Sequence, residues 1–161
     1  MKKVLFLVIL MLTTLSFAQT EKGNSFIGVS SNSLTGLQYS TQVDSKVKNY
    51  GFGVQGGHFV AEDLAVIAGA GYNATRIVDR GTVAESYSYQ AGLKYYLLKQ
   101  IPVQVDYNGV DSSDYLGTQA GYAFFPSKNF SIEPHVRYDF GLKERVDDRF
   151  SFGFGFNYFF K

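Results

Sequence analysis

Two histidines, His58 and His135, are the side chains of this 161-residue chain best suited to acid–base work near neutral pH. Hydrolysis of a lipid ester needs such a histidine beside a serine, with a carboxylate to orient it. His135 is followed two positions on by Arg137 instead, and His58 lies in Gly57-His58-Phe59, where it reads as an interfacial stand-in for an aromatic. No pair of histidines sits at ligand spacing, and the acidic doublets Glu62-Asp63 and Asp147-Asp148 fall in separate connections. Gly51-Phe52-Gly53 and Gly153-Phe154-Gly155 alternate like strands and lack the helix that a phosphate-binding loop feeds. Together these patterns point to a protein that is not an enzyme and holds no metal or cofactor.

What remains is a set of charged residues, Lys94, Asp106, Glu133, Arg137 and Asp139, set within segments that alternate. Successive side chains of a strand point to opposite faces, so parity decides which surface each residue shares. The last segment is the clearest. Phe150, Phe152, Phe154, Phe156, Tyr158 and Phe160 share one face, and Ser151, Gly153, Gly155 and Asn157 share the other. A soluble sandwich turns its large apolar face inward. Here the small face is the one that fits a tight interior, so the aromatic face is predicted to meet lipid.

The same sense recurs in segments at about 25–39, 48–60, 64–75, 85–98, 103–108, 115–125, 130–140 and 150–160. Tyr87, Tyr89, Leu93 and Tyr95 oppose Ser88, Gln90, Gly92 and Lys94; Val103, Val105 and Tyr107 oppose Gln104, Asp106 and Asn108. Phe130, Ile132, Val136, Tyr138 and Phe140 oppose Ser131, Glu133, His135, Arg137 and Asp139, with Pro134 as an interruption that a bulge is expected to absorb. Seventeen glycines, three prolines, 15 phenylalanines and 12 tyrosines favour strands and turns over helices. Beyond the N-terminus the longest apolar run, 64–72, falls short of the ~20 residues of a spanning helix. A membrane crossing must then be a closed barrel, which leaves no backbone group unpaired. The predicted fold class is all-β, an eight-stranded antiparallel up-and-down transmembrane β-barrel. The short connections at 61–63, 99–100 and 126–129 are assigned to the periplasm, and those at 40–47, 77–84, 109–114 and 143–148 to the outside.

Lys2 and Lys3, an apolar stretch over 4–12 and Ser16-Phe17-Ala18 form a secretory signal-peptide pattern. This divides the chain into a leader, 1–18, and a barrel domain, 19–161. Basic and acidic residues, 15 and 14, nearly cancel, so charge gives no attraction to nucleic acid. The chain has no cysteine, so an exported fold here holds by burial and backbone pairing alone.

The passage Gly57-His58-Phe59-Val60-Ala61-Glu62-Asp63-Leu64-Ala65-Val66 and the run 152–160 resemble two features of the OmpA- and OmpX-like outer-membrane β-barrel family. These are its recurrent strand–turn–strand passage and its aromatic terminal strand. His58 stands where the family usually carries an aromatic, and Lys161 follows the last aromatic, Phe160. The resemblance implies a monomeric barrel in the outer membrane of a diderm bacterium, surrounded by outer-membrane lipid and lipopolysaccharide. It also implies that the barrel assembly machinery reads the last strand.

Eight strands enclose a lumen that side chains largely fill, and a buried charge is costly unless paired. Lys94 and Arg137 are therefore predicted to find carboxylates among Asp106, Glu133 and Asp139, forming a structural polar network. The function this supports is a structural outer-membrane protein that contributes to envelope integrity or surface contacts. A narrow or gated pore is the alternative within the same fold. A soluble exported barrel binding an apolar ligand is the alternative with the facing reversed.

Overall fold

The computed structural model describes residues 20–30, 38–42, 47–77, 82–144 and 146–161; the expected leader lies outside them. Among the described residues ten strand segments follow one another: β1 (Ser25–Ser30), β2 (Gln38–Gln42), β3 (Val47–Ala61), β4 (Leu64–Ile77), β5 (Thr82–Leu97), β6 (Ile101–Val110), β7 (Ser113–Gly121), β8 (Phe124–Ser127), β9 (Phe130–Gly141) and β10 (Arg149–Phe160). All ladders are antiparallel. They run β1-β10-β9-β7-β6-β5-β4-β3, and β1 pairs again with β3, which closes the ring. β2 extends the β1 stave along β3, and β8 extends the β7 stave along β9, so ten segments make eight staves.

Several local expectations change, including the connection expected at 77–84, whose flanking strands stay paired to Ile77↔Thr82. The single first strand expected over 25–39 is two segments, β1 and β2, and 31–37 between them lies outside the described residues. The connection expected at 109–114 is a two-residue turn, because Gly109↔Asp114 and Val110↔Ser113 stay paired. Asp111 makes this possible with a φ of 53°, a left-handed conformation that aspartate tolerates. Pro134 causes no bulge. The β9–β10 register runs unbroken through Pro134↔Phe154. On its other side the Tyr122 N–H donates to the Pro134 carbonyl at 3.0 Å, but proline has no N–H to return the bond. The ladder lapses there and resumes at Phe124↔Ile132, which is why one stave reads as β7 and β8.

Parity governs the facing. The six alternate aromatics from Phe150 to Phe160 are between 41 % and 75 % exposed, while Gly153, Gly155 and Asn157 are buried. At the end of the barrel where Thr20 and Lys161 lie, however, the interior is apolar. Phe26, Phe59, Ala65, Ile67, Tyr96, Ala123, Phe125 and Phe159 form one buried cluster. Phe159 is its hub, with ring centroids of Phe26, Phe59, Tyr96 and Phe125 at 5.6, 6.3, 6.4 and 5.8 Å. Residues 20–24 are stitched beneath this floor. The Gly23 N–H donates to the Phe59 carbonyl at 2.9 Å, the Asp63 N–H donates to the Thr20 carbonyl at 2.8 Å, and the Thr20 hydroxyl donates to the Asp63 carboxylate.

At the opposite end, the connection before β10 is clasped by Asp148, which accepts the Gly141 N–H at 2.9 Å and the Tyr138 hydroxyl at 2.8 Å. The Gly141 amide, then the tyrosine, hold this carboxyl below the usual aspartate range. The folded value is thus the lower one, so the clasp contributes above the ordinary aspartate pKa and is lost as pH falls through the folded value. Hydrogen-exchange protection of the Gly141 amide is expected to drop on acidification through that window; unchanged protection contradicts the clasp. For the floor, Phe159→Ala is expected to cost ~3–5 kcal/mol, the range for emptying a packed aromatic site. The outward-facing Phe154→Ala is expected to cost clearly less. Urea unfolding in lipid vesicles compares the two, and equal losses contradict the packed floor.

Candidate functional site

The charged residues meet inside the barrel, above the aromatic floor. Asp106 on β6 and Asp139 on β9 lie on either side of Gly117 on β7, at one level of the wall. The gap left by glycine is where the Arg137 guanidinium sits: a Cβ at Gly117 would fall 2.0 Å from Arg137 Nη2. Arg137 reaches both carboxylates from there. It donates from Nη1 and Nη2 to Asp106 Oδ2 and Oδ1 at 2.9 and 2.7 Å, and from Nε to Asp139 Oδ1 at 3.0 Å. The fork geometry of arginine suits this two-oxygen hold on Asp106. Asn108 bridges the same two acids, at 2.9 Å to Asp106 and 3.0 Å to Asp139.

A second ion pair crosses the lumen nearer the floor. Lys94 Nζ on β5 lies 2.5 Å from Glu133 Oε2 on β9. Tyr96 and Ser131 donate their hydroxyls to Glu133 Oε1 at 2.9 and 2.8 Å, so the carboxylate is well satisfied. Lys94 also stands 5.2 Å from the Phe26 ring and 5.1 Å from the Tyr96 ring, tying the polar network to the aromatic floor. A glutamine belt completes the lumen. Gln90 donates to Gln55 at 2.8 Å, Gln55 to Gln104 at 3.3 Å, and Gln104 to Asp106 at 2.7 Å. Gln55 and Gln90 meet across Gly69, which lies between them in the register. None of Lys94, Asp106, Glu133, Arg137 and Asp139 is more than 3 % exposed.

The two histidines lie apart from one another. His135 is buried, and its Nδ1 donates to the Glu133 carbonyl at 3.0 Å. His58 is on the outer wall, 3.0 Å through Nδ1 from Ser25 Oγ, a partner 33 residues away that strand pairing supplies. Among the described residues no group of three or more His, Cys, Asp or Glu is placed to hold a metal ion. Arg149, also unremarked in the sequence, stacks at the end away from the floor, its guanidinium 3.9 Å from the Tyr115 ring centre.

Such pairing implies a strong asymmetry between losing one partner and losing both. Lys94→Met alone leaves Glu133 buried without its cation and is expected to cost ~3–5 kcal/mol. Lys94→Met with Glu133→Gln is expected to cost less than that single change, as read from urea unfolding in vesicles. Additive losses contradict the direct pairing.

A scan of protein-family models and a search of curated proteins find no match. Among solved structures, the chain is similar to the Yersinia pestis outer membrane protein Ail in a phospholipid bilayer nanodisc. The TM-score is 0.54 with 17 % identity, over 86 % of this chain and 100 % of that one. It is also similar to the N-terminal β-barrel domain of Pseudomonas aeruginosa OprF, with a TM-score of 0.50 and 14 % identity over 86 % and 98 % of the two chains. The chain thus shares its fold, a closed eight-stranded antiparallel barrel, with these outer-membrane proteins.

Proposed function

We propose that the protein is an integral outer-membrane barrel with a closed, ion-paired interior, and that its task is structural: envelope integrity or surface contact. The observation that carries this reading is the inversion of polarity. Lys94, Asp106, Glu133, Arg137 and Asp139 are buried inside, while Phe150, Phe152, Phe154, Phe156, Tyr158 and Phe160 cover the outside of the last strand. Water has little use for such a surface, and acyl chains match it. In this reading the floor and both termini face the periplasm, the assembly machinery engages β10, and lipopolysaccharide and phospholipid surround a monomer. A soluble barrel with an apolar ligand is the weaker reading, since its interior would have to be apolar throughout.

The polar network serves as a plug, with Glu133 and Asp106 held by cations from non-neighbouring strands, Asp139 held by Arg137 of its own strand, and the aromatic floor below. Two measurements test the proposal. Envelope fractionation is expected to recover the protein in the detergent-extracted membrane, with gel mobility that shifts on heating; recovery in the soluble periplasm contradicts the membrane reading. Planar-bilayer recording is expected to give no stable conductance, and a steady open level contradicts the plug.

A further inference from the structure

One place on the outer wall sets a polar pair and an apolar groove end to end. We infer that it holds a single glycerophospholipid of the periplasmic leaflet, an inference that rests on the membrane-barrel reading above. The phosphate–ester region lies on Ser25 and His58, and one acyl chain lies in the groove beyond them. Pairing of β1 with β3 puts Ser25 opposite His58, with Ser25 Oγ 3.0 Å from His58 Nδ1. His58 is exposed, and the bond to Ser25 engages only one of its two ring nitrogens, leaving the other for a lipid oxygen.

The depth is right for a headgroup. Ser25 is also the register partner of Phe160, the last of the outward aromatics, so the pair lies in the aromatic girdle that marks a membrane interface. One same-face step along β1, roughly 7 Å toward the middle of the wall, is Ile27. There a depression of about 330 Å³ begins, lined by Ile27, Val29, Val54, Phe130, Phe156 and Tyr158. Between the groove and the polar pair lies Gly56, opposite Ile27 and on the outward parity between Val54 and His58. Among the described residues a Cβ there would meet nothing closer than the Phe26 carbonyl at 3.8 Å, so they leave the path from groove to headgroup unfilled. Polar end at the rim and apolar end toward the midplane is the direction in which a phospholipid stands.

The test is native mass spectrometry of the full barrel in detergent micelles, given 1-palmitoyl-2-oleoyl phosphatidylethanolamine or, separately, oleate. Wild type is expected to keep one phospholipid under activation that strips detergent. Gly56→Leu fills the path and His58→Phe removes the polar anchor, so each is expected to weaken retention at least tenfold. Gly56→Leu finds room for its Cβ among the described residues and stands as the decisive variant if His58→Phe does not fold. Retention by Gly56→Leu equal to wild type, or a lipid distribution with no step at one, overturns the site. Oleate held as well as phospholipid overturns the headgroup contact, and a barrel dimer that excludes lipid makes a second copy the occupant instead. Heat-shifted gel mobility is scored on every sample: its absence from wild type counts against the membrane barrel, whereas its presence without bound lipid counts against this site alone.

Discussion

Charge inside a narrow barrel has to be neutralised by other side chains, because the wall that encloses it is apolar on its far side. That constraint explains most of the lumen. Arg137 has to reach two carboxylates at once, and it does so by lying in the gap that Gly117 leaves between Asp106 and Asp139. Lys94 has to cross from β5 to β9 to meet Glu133, and Tyr96 and Ser131 supply the remaining donors. The Arg137–Asp106 and Lys94–Glu133 ties join strands that are not neighbours in the sheet, while Arg137–Asp139 stays within β9. The first two ties run through the lumen between separate strands, a direction that ladder hydrogen bonds do not take.

The interior is divided along the barrel. Ion pairs and glutamines occupy the middle, while Phe26, Phe59, Tyr96, Phe125 and Phe159 fill the end where Thr20 and Lys161 lie. Lys94, within reach of the Phe26 and Tyr96 rings, marks the boundary between the two regions. Aromatic packing there needs no hydrogen-bond partners except for the Tyr96 hydroxyl, which is satisfied by Glu133. Residues 20–24 lie across the same end, so this segment, the floor and the last strand form one packed unit.

Facing was legible in the sequence because a strand has a period of two and these strands are long. The alternation of β10, and of Phe130 to Asp139, puts each inward and outward residue where parity says. Grouping Lys94 and Arg137 with the three acids was legible for the same reason, since all five share the inward parity. Their individual pairings were not, because they depend on which strands face each other across the lumen. The aromatic floor was also hidden under the parity rule. Its signal is the doublets Tyr95-Tyr96, Phe124-Phe125 and Phe159-Phe160, where both faces turn aromatic at one end. Ser25 and His58 could not be joined from sequence, because the closing β1–β3 pairing brings them together.

The central claim is that the outward rings touch acyl chains while the inward side is screened from them. The chain has no tryptophan, so a single introduced one reports its own site. Phe154→Trp and Phe159→Trp, each refolded into vesicles containing lipids brominated on the acyl chain, give the most direct comparison. Strong quenching at position 154 and little at 159 is the result this account predicts; equal quenching, or the reverse order, would contradict it.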